Sequence, residues 1–155
     1  MDSRDFNSEG FERTIHTLDD IFNRQNELLL KYREIEGIPE HPLTIDDPAH
    51  QVWIKDFLWR VTEELAEAYE EEISFTLKVE EFSDALHFLI ELMILVGLTP
   101  DECPYTYPRS EGGPRMNSND LTHWYWTTTY YLGLAGNCLK NKKWKQTQVF
   151  TDVIK

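Results

Sequence analysis

Along the chain, apolar residues return at the spacing of a helix rather than alternating as in a strand. In "TIHTLDDIFNRQNELLLKYREIEG", Leu18, Ile21, Phe22, Leu28, Leu29, Tyr32 and Ile35 recur on one side; Thr17 is placed to cap the start, and Gly37 with Pro39 closes the pattern. A Pro-rich loop, "PEHPLTIDDPAHQ", follows. From Trp53 to about Glu72, Phe57, Leu58, Val61, Leu65 and Ala68 form a second helical stripe. The third segment, Val79 to Leu98, is apolar most of the way round. Phe82, Leu86, Leu89 and Met93 form one stripe and Phe88, Leu92 and Leu95 a second beside it. Four prolines and two glycines mark residues 99–119 as a long loop. A fourth helix, capped by Asn119 or Asp120, then turns Leu121, Trp124, Thr128, Leu132, Ala135 and Leu139 inward. No stretch reads as a strand. The expectation is an all-α bundle of four to five helices in a single domain over 1–155, with a flexible arm at 1–13 and a basic tail at 140–155.

Composition narrows what such a bundle does. The 155 residues carry 28 Asp and Glu against 15 Lys and Arg, a net charge of -13, so a bare surface of this kind repels nucleic acid and anionic membrane. A polyphosphate would need a cation to bridge it. No apolar run is long enough to span a bilayer, the N-terminal residues do not form a signal or transit peptide, and Cys103 and Cys138 lack metal or disulfide spacing. These features suit a reducing cytoplasm, bacterial or phage-infected.

Candidate chemistry lies in the acids. Glu64 and Glu67 sit three apart on the flank of the second stripe, and Glu81 and Asp84 sit three apart at the start of the third helix. Two antiparallel helices joined by a short connection bring the pairs together. Four carboxylates placed among apolar side chains cannot all remain ionised and unpaired, so a cation is expected among them. Oxygen ligands without cysteine suit Mg²⁺, or Mn²⁺. Either pair alone has a plainer explanation. A Glu-rich helix produces Glu-x-x-Glu on its solvated face, and acids in a first helical turn complement the helix dipole. Two pairs flanking adjacent apolar stripes favour the metal.

Glu64-x-x-Glu67, 13 intervening residues and Glu81-x-x-Asp84 resemble the signature of the all-α NTP pyrophosphatase superfamily, which includes dimeric dUTPases, phage dCTPases and MazG-type enzymes. "EEFSDALHF" followed by "ELMILVGL" looks especially like the corresponding helix of dimeric dUTPases, and the similarity covers residues 20–98 with "LKN" at 139–141. The resemblance implies Mg²⁺-dependent cleavage of a nucleoside triphosphate between its α and β phosphates. Glu64, Glu67, Glu81 and Asp84 would hold the metal, with Glu64 or Glu67 also orienting the attacking water. It further implies that Lys140 and Asn141, supplemented by Lys145, hold phosphates and that Gln25 reads the base, with Asn26 second to it. Trp53 is a candidate for stacking on base or sugar, although aromatics in such helices more often belong to the core. The connection between the acid pairs is short for a dimeric dUTPase and the tail "KNKKWKQTQ" departs from that group. These departures bear on the base: dUTP stands first, dCTP or a purine dNTP behind it.

Two other classes compete. Asp84-x-x-His87 mimics the spacing of ferritin-like di-iron bundles, but no second such motif accompanies it. A non-catalytic dimerisation or adaptor module would leave the acids as surface charge. The nearly all-round apolar third helix and aromatic-rich fourth helix suggest a homodimer or homotetramer.

Overall fold

A computed structural model of the chain describes residues 17–70, 74–103, 117–139 and 149–155. The described residues form five α-helices and one 3-10 turn with no strand: α1 (Leu18–Glu36), α2 (Pro48–Glu67), α3 (Phe75–Leu95), a 3-10 turn at Pro100–Glu102, α4 (Ser118–Cys138) and α5 (Phe150–Ile154). The all-α architecture expected from the periodicity is the one observed.

Each long helix starts where a short polar side chain satisfies free backbone N–H groups. Thr17 accepts from the Asp20 backbone N–H, while the Asp20 carboxylate accepts from the Thr17 N–H at 2.9 Å, a capping box. Asp47 caps α2 through the Ala49 N–H, with Pro48 at the first helical position, where its missing N–H costs nothing. This puts the start of α2 five residues before the Trp53 expected from its stripe, because the proline that reads as loop is a helix opener. Ser74 likewise starts α3 ahead of Val79, and Asn117, rather than Asn119 or Asp120, caps α4, with Asp120 supplying the return bond. At the other end α3 stops at Leu95, short of Leu98, because Gly97 takes φ 84° in the left-handed region. α2 ends in regular form at Glu67 and turns through Ala68 to Glu70, short of Glu72.

The core fills the space between α1, α2 and α3. Ile54, Phe57, Leu92 and Leu95 are wholly buried, with Leu29 and Ile90 beside them. The Pro-rich loop contributes too. Ile38 and Leu43 are buried, and the Leu43 N–H donates to the Leu95 carbonyl at 2.6 Å, tying the loop to the end of α3. α2 and α3 pack most extensively, which brings the two acid-bearing helices side by side as expected. α4 joins through Tyr69, whose ring lies 4.6 Å from that of Tyr125 and whose hydroxyl bonds Thr122.

Several expectations are corrected. Ile35 is 80% exposed, because six residues past Leu29 is about 120° further round the helix. Leu86 is half-exposed, opening on a groove of about 300 Å³ that α4 lines with Leu121 and Trp124 but does not fill. The end of the basic tail is a short helix whose Phe150 and Ile154 join the core. Residues 1–13 and the greater part of the 99–119 loop lie outside the described residues.

Candidate metal centre and adjoining cavity

α2 and α3 carry the expected acids to one place. One carboxylate oxygen each from Glu64, Glu81 and Asp84 lie within 4.8 Å of one another. Glu64 and Glu81 are half-buried, while Asp84 and Glu67 are exposed, so the cluster stands at a cavity mouth rather than among core side chains as the sequence suggested. Glu67, the last regular residue of α2, stays outside the three-oxygen group yet acts on it electrostatically.

The strain in this arrangement falls on Glu64. Burial pushes its carboxyl up to about 7, helped by the negative charges of Glu67, Asp84 and Glu81 and by a hydrogen bond between the Glu64 and Glu81 carboxyls. Near neutral pH the cluster therefore holds a proton where it could hold a cation. The donor set fits Mg²⁺: hard carboxylate oxygens, converging from two rigid helices, with no thiolate present. His87 stands beside it, Nδ1 lying 3.5 Å from the Asp84 carboxylate.

A cavity of about 270 Å³ opens from the acids, lined by Gln25, Leu28 and Tyr32 of α1, Glu64 of α2, and Asp84, His87, Phe88 and Glu91 of α3. The spacings are those of single helix faces, i, i+3 and i+7 on α1 and i, i+3, i+4 and i+7 on α3. Gln25, which the resemblance implies reads the base, lines this space, and its Oε1 is buried with no hydrogen-bond partner among the described residues. Asn26 has a similarly unpartnered Oδ1 but does not line the cavity. Trp53 does not line this cavity; it is half-buried against the main core, the packing place that the sequence analysis set beside a stacking role. Lys140, Asn141 and Lys145 lie outside the described residues.

Glu91 is the residue the sequence reading passed over. It is 1% exposed, its Oε2 has no hydrogen-bond partner among the described residues, and burial pushes its carboxyl up to about 7 against the opposing pull of Arg60. Arg60 itself bonds Glu36 at 2.8 Å and Asp56 at 2.9 Å and lies over the Phe57 ring, 4.6 Å from its centroid. The signal was a lone acid in "HFLIELMILVGL", seven residues from Asp84 and hence on the same face.

Compared with protein-family models, with curated proteins and with solved structures, the chain gives no match.

Proposed function

We propose that the protein is a Mg²⁺-dependent nucleoside triphosphate pyrophosphohydrolase, releasing a nucleoside monophosphate and pyrophosphate. The observation that carries this reading is the convergence of Glu64, Glu81 and Asp84 oxygens within 4.8 Å at the mouth of a cavity lined by Gln25, whose buried Oε1 has no hydrogen-bond partner among the described residues. An acid cluster alone would not suffice. The adjoining cavity supplies room for the organic part of a ligand, and an anionic ligand in an acidic protein needs the cation such a cluster binds.

In this reading Glu64, Glu81 and Asp84 hold the metal and Glu67 is left for the water. Bound Mg²⁺ would supply charge neutralisation for the triphosphate and acidify water. Glu67, exposed and outside the three-oxygen group, accepts the proton of the attacking water. The water oxygen bonds to the α-phosphorus as the bond to the α–β bridging oxygen breaks, and pyrophosphate departs. Lys140, Asn141 and Lys145 would steady the phosphates. His87, next to Asp84, orients that carboxylate.

The test is hydrolysis of a dNTP and NTP panel with Mg²⁺, Mn²⁺ or a chelator, separating pyrophosphate from orthophosphate. Metal-dependent pyrophosphate release supports the reading. Silence across the panel, with no metal-dependent stabilisation, would sink it and favour a helical association module, a role for which the exposed Trp126 and Tyr130 of α4 are suited.

A further inference from the structure

We propose that Glu91, acting with Gln25, selects the base, and that the substrate is a nucleotide whose base carries an exocyclic amino group. This inference rests on the pyrophosphohydrolase reading and goes beyond it by naming the base class. It also reverses the order suggested by resemblance, placing dCTP ahead of dUTP.

Geometry sets the argument. Glu91 follows Asp84 by seven residues on one face of α3, which is about 10 Å along the helix. That is comparable with the reach from the α-phosphate to the far edge of the base in a nucleotide. Between them the cavity is walled by Phe88, Leu28 and Tyr32, flat or apolar surfaces suited to a ring. Glu91 is thus placed at base depth while Asp84 is placed at phosphate depth.

Chemistry sets the selection. Gln25 and Glu91 are both at least nine-tenths buried, both line the cavity, and each has an oxygen without a donor among the described residues. Such oxygens are costly to leave unmade. The last torsion of Gln and Glu side chains is soft, so a small rotation turns either oxygen to a ligand in the space they line. An amide presents oxygen or nitrogen equally well, whereas Glu91, whose carboxyl stands at about 7, only accepts once it is ionised above neutral pH. Glu91 therefore decides. An amino group brings two N–H donors on one atom, enough for both oxygens. Uracil and thymine bring a single ring N–H, enough for one of the two oxygens, and their flanking carbonyl oxygens repel the other. Arg60 acts on the Glu91 carboxyl through space, but its hydrogen bonds go to Glu36 and Asp56, and Glu91 Oε2 has no hydrogen-bond partner among the described residues.

The experiment measures Mg²⁺-dependent pyrophosphate release from two matched pairs, dCTP against dUTP and dATP against dITP, at about pH 8, where an acid with an ordinary or moderately raised pKa is ionised. The amino member of a pair should have at least tenfold higher kcat/KM. Glu91→Gln, whose amide can donate to a carbonyl, should cut that ratio by at least tenfold; Gln25→Leu should also lower it. Equal rates or a keto preference in the wild-type protein overturn the inference, as does an unchanged ratio in Glu91→Gln. Should Glu91→Gln fail to fold, the wild-type pairs decide alone. Cleavage without amino preference removes only this inference, whereas cleavage of no triphosphate removes the pyrophosphohydrolase reading with it.

Discussion

Glu64 and Glu67 are neighbours in sequence with different surroundings, and the difference assigns them separate tasks. Glu67→Gln should lower kcat by roughly 10²- to 10⁴-fold, the usual weight of a general base, while Mg²⁺ still raises the melting temperature. Glu64→Gln should lose both turnover and that stabilisation. Measuring the two variants by pyrophosphate release and thermal denaturation separates the roles, and a fully active Glu67→Gln would remove Glu67 from the mechanism. The raised carboxyls also have a sign. Glu64 and Glu91 each stand at about 7 in the fold against an ordinary value of 4.5. They hold protons in the folded state that the unfolded chain has released, so their stabilising contribution is complete below 4.5 and is lost as pH rises through about 7. In chelator, the melting temperature of Glu64→Gln minus that of the wild type should therefore grow from pH 4.5 to beyond 7. A flat difference would mean that Glu64 is not the strained member. The acids of the site were legible as spacing in the sequence. Which of them met, and which stayed at the rim, was not, because α2 ends at Glu67 and places that side chain in the open.

At the scale of the elements, caps and breakers carried most of the information. The Thr17 cap and the Gly37 end of α1 were readable directly. The starts of α2 and α3 were not, since a helix opener such as Pro48 resembles loop until the Asp47 cap is seen bonding the Ala49 N–H. Thr17→Ala should cost about 1 kcal/mol by urea denaturation. Gly97 is a harsher position. Its φ of 84° is unfavourable for any side chain, and a Cβ there would lie 2.9 Å from Pro42 Cβ. Gly97→Ala should destabilise by about 1–3 kcal/mol in the same measurement, loosening the loop that α3 holds through Leu95. A neutral effect would show that this junction relaxes freely.

Across the whole molecule, the balance is between an acidic surface and uncovered apolar residues. Mg²⁺ at about 100-fold over its dissociation constant should stabilise the fold by about 2.7 kcal/mol, roughly 5–10 °C in melting temperature for a chain of this size. No change on adding Mg²⁺ or Mn²⁺ would remove the metal centre. Trp59, Trp126 and Tyr130 are each more than 60% exposed, and a groove lined by Leu86, Leu121 and Trp124 stays open. The expected homodimer or homotetramer would bury such residues, as homodimer interfaces do. Sedimentation should give a multiple of the chain mass, 18.4 kDa, and Trp126→Glu should shift it toward the monomer. Among the described residues no helix is long and apolar enough to cross a membrane, in keeping with the absence of such a run in the sequence.

Periodicity and acid spacing are local properties, written along a few turns of chain, so the sequence alone determined the all-α class, the stripe of α2, and the pairing of "EELAE" with "EEFSD". Burial and unmet hydrogen bonds depend on what lies across a gap from another helix. Only the tertiary structure could thus turn Leu86 toward an unfilled groove, lay Trp53 against the core, and set Glu91, one acid in an apolar run, into the same cavity as Gln25 with Oε2 unbonded among the described residues.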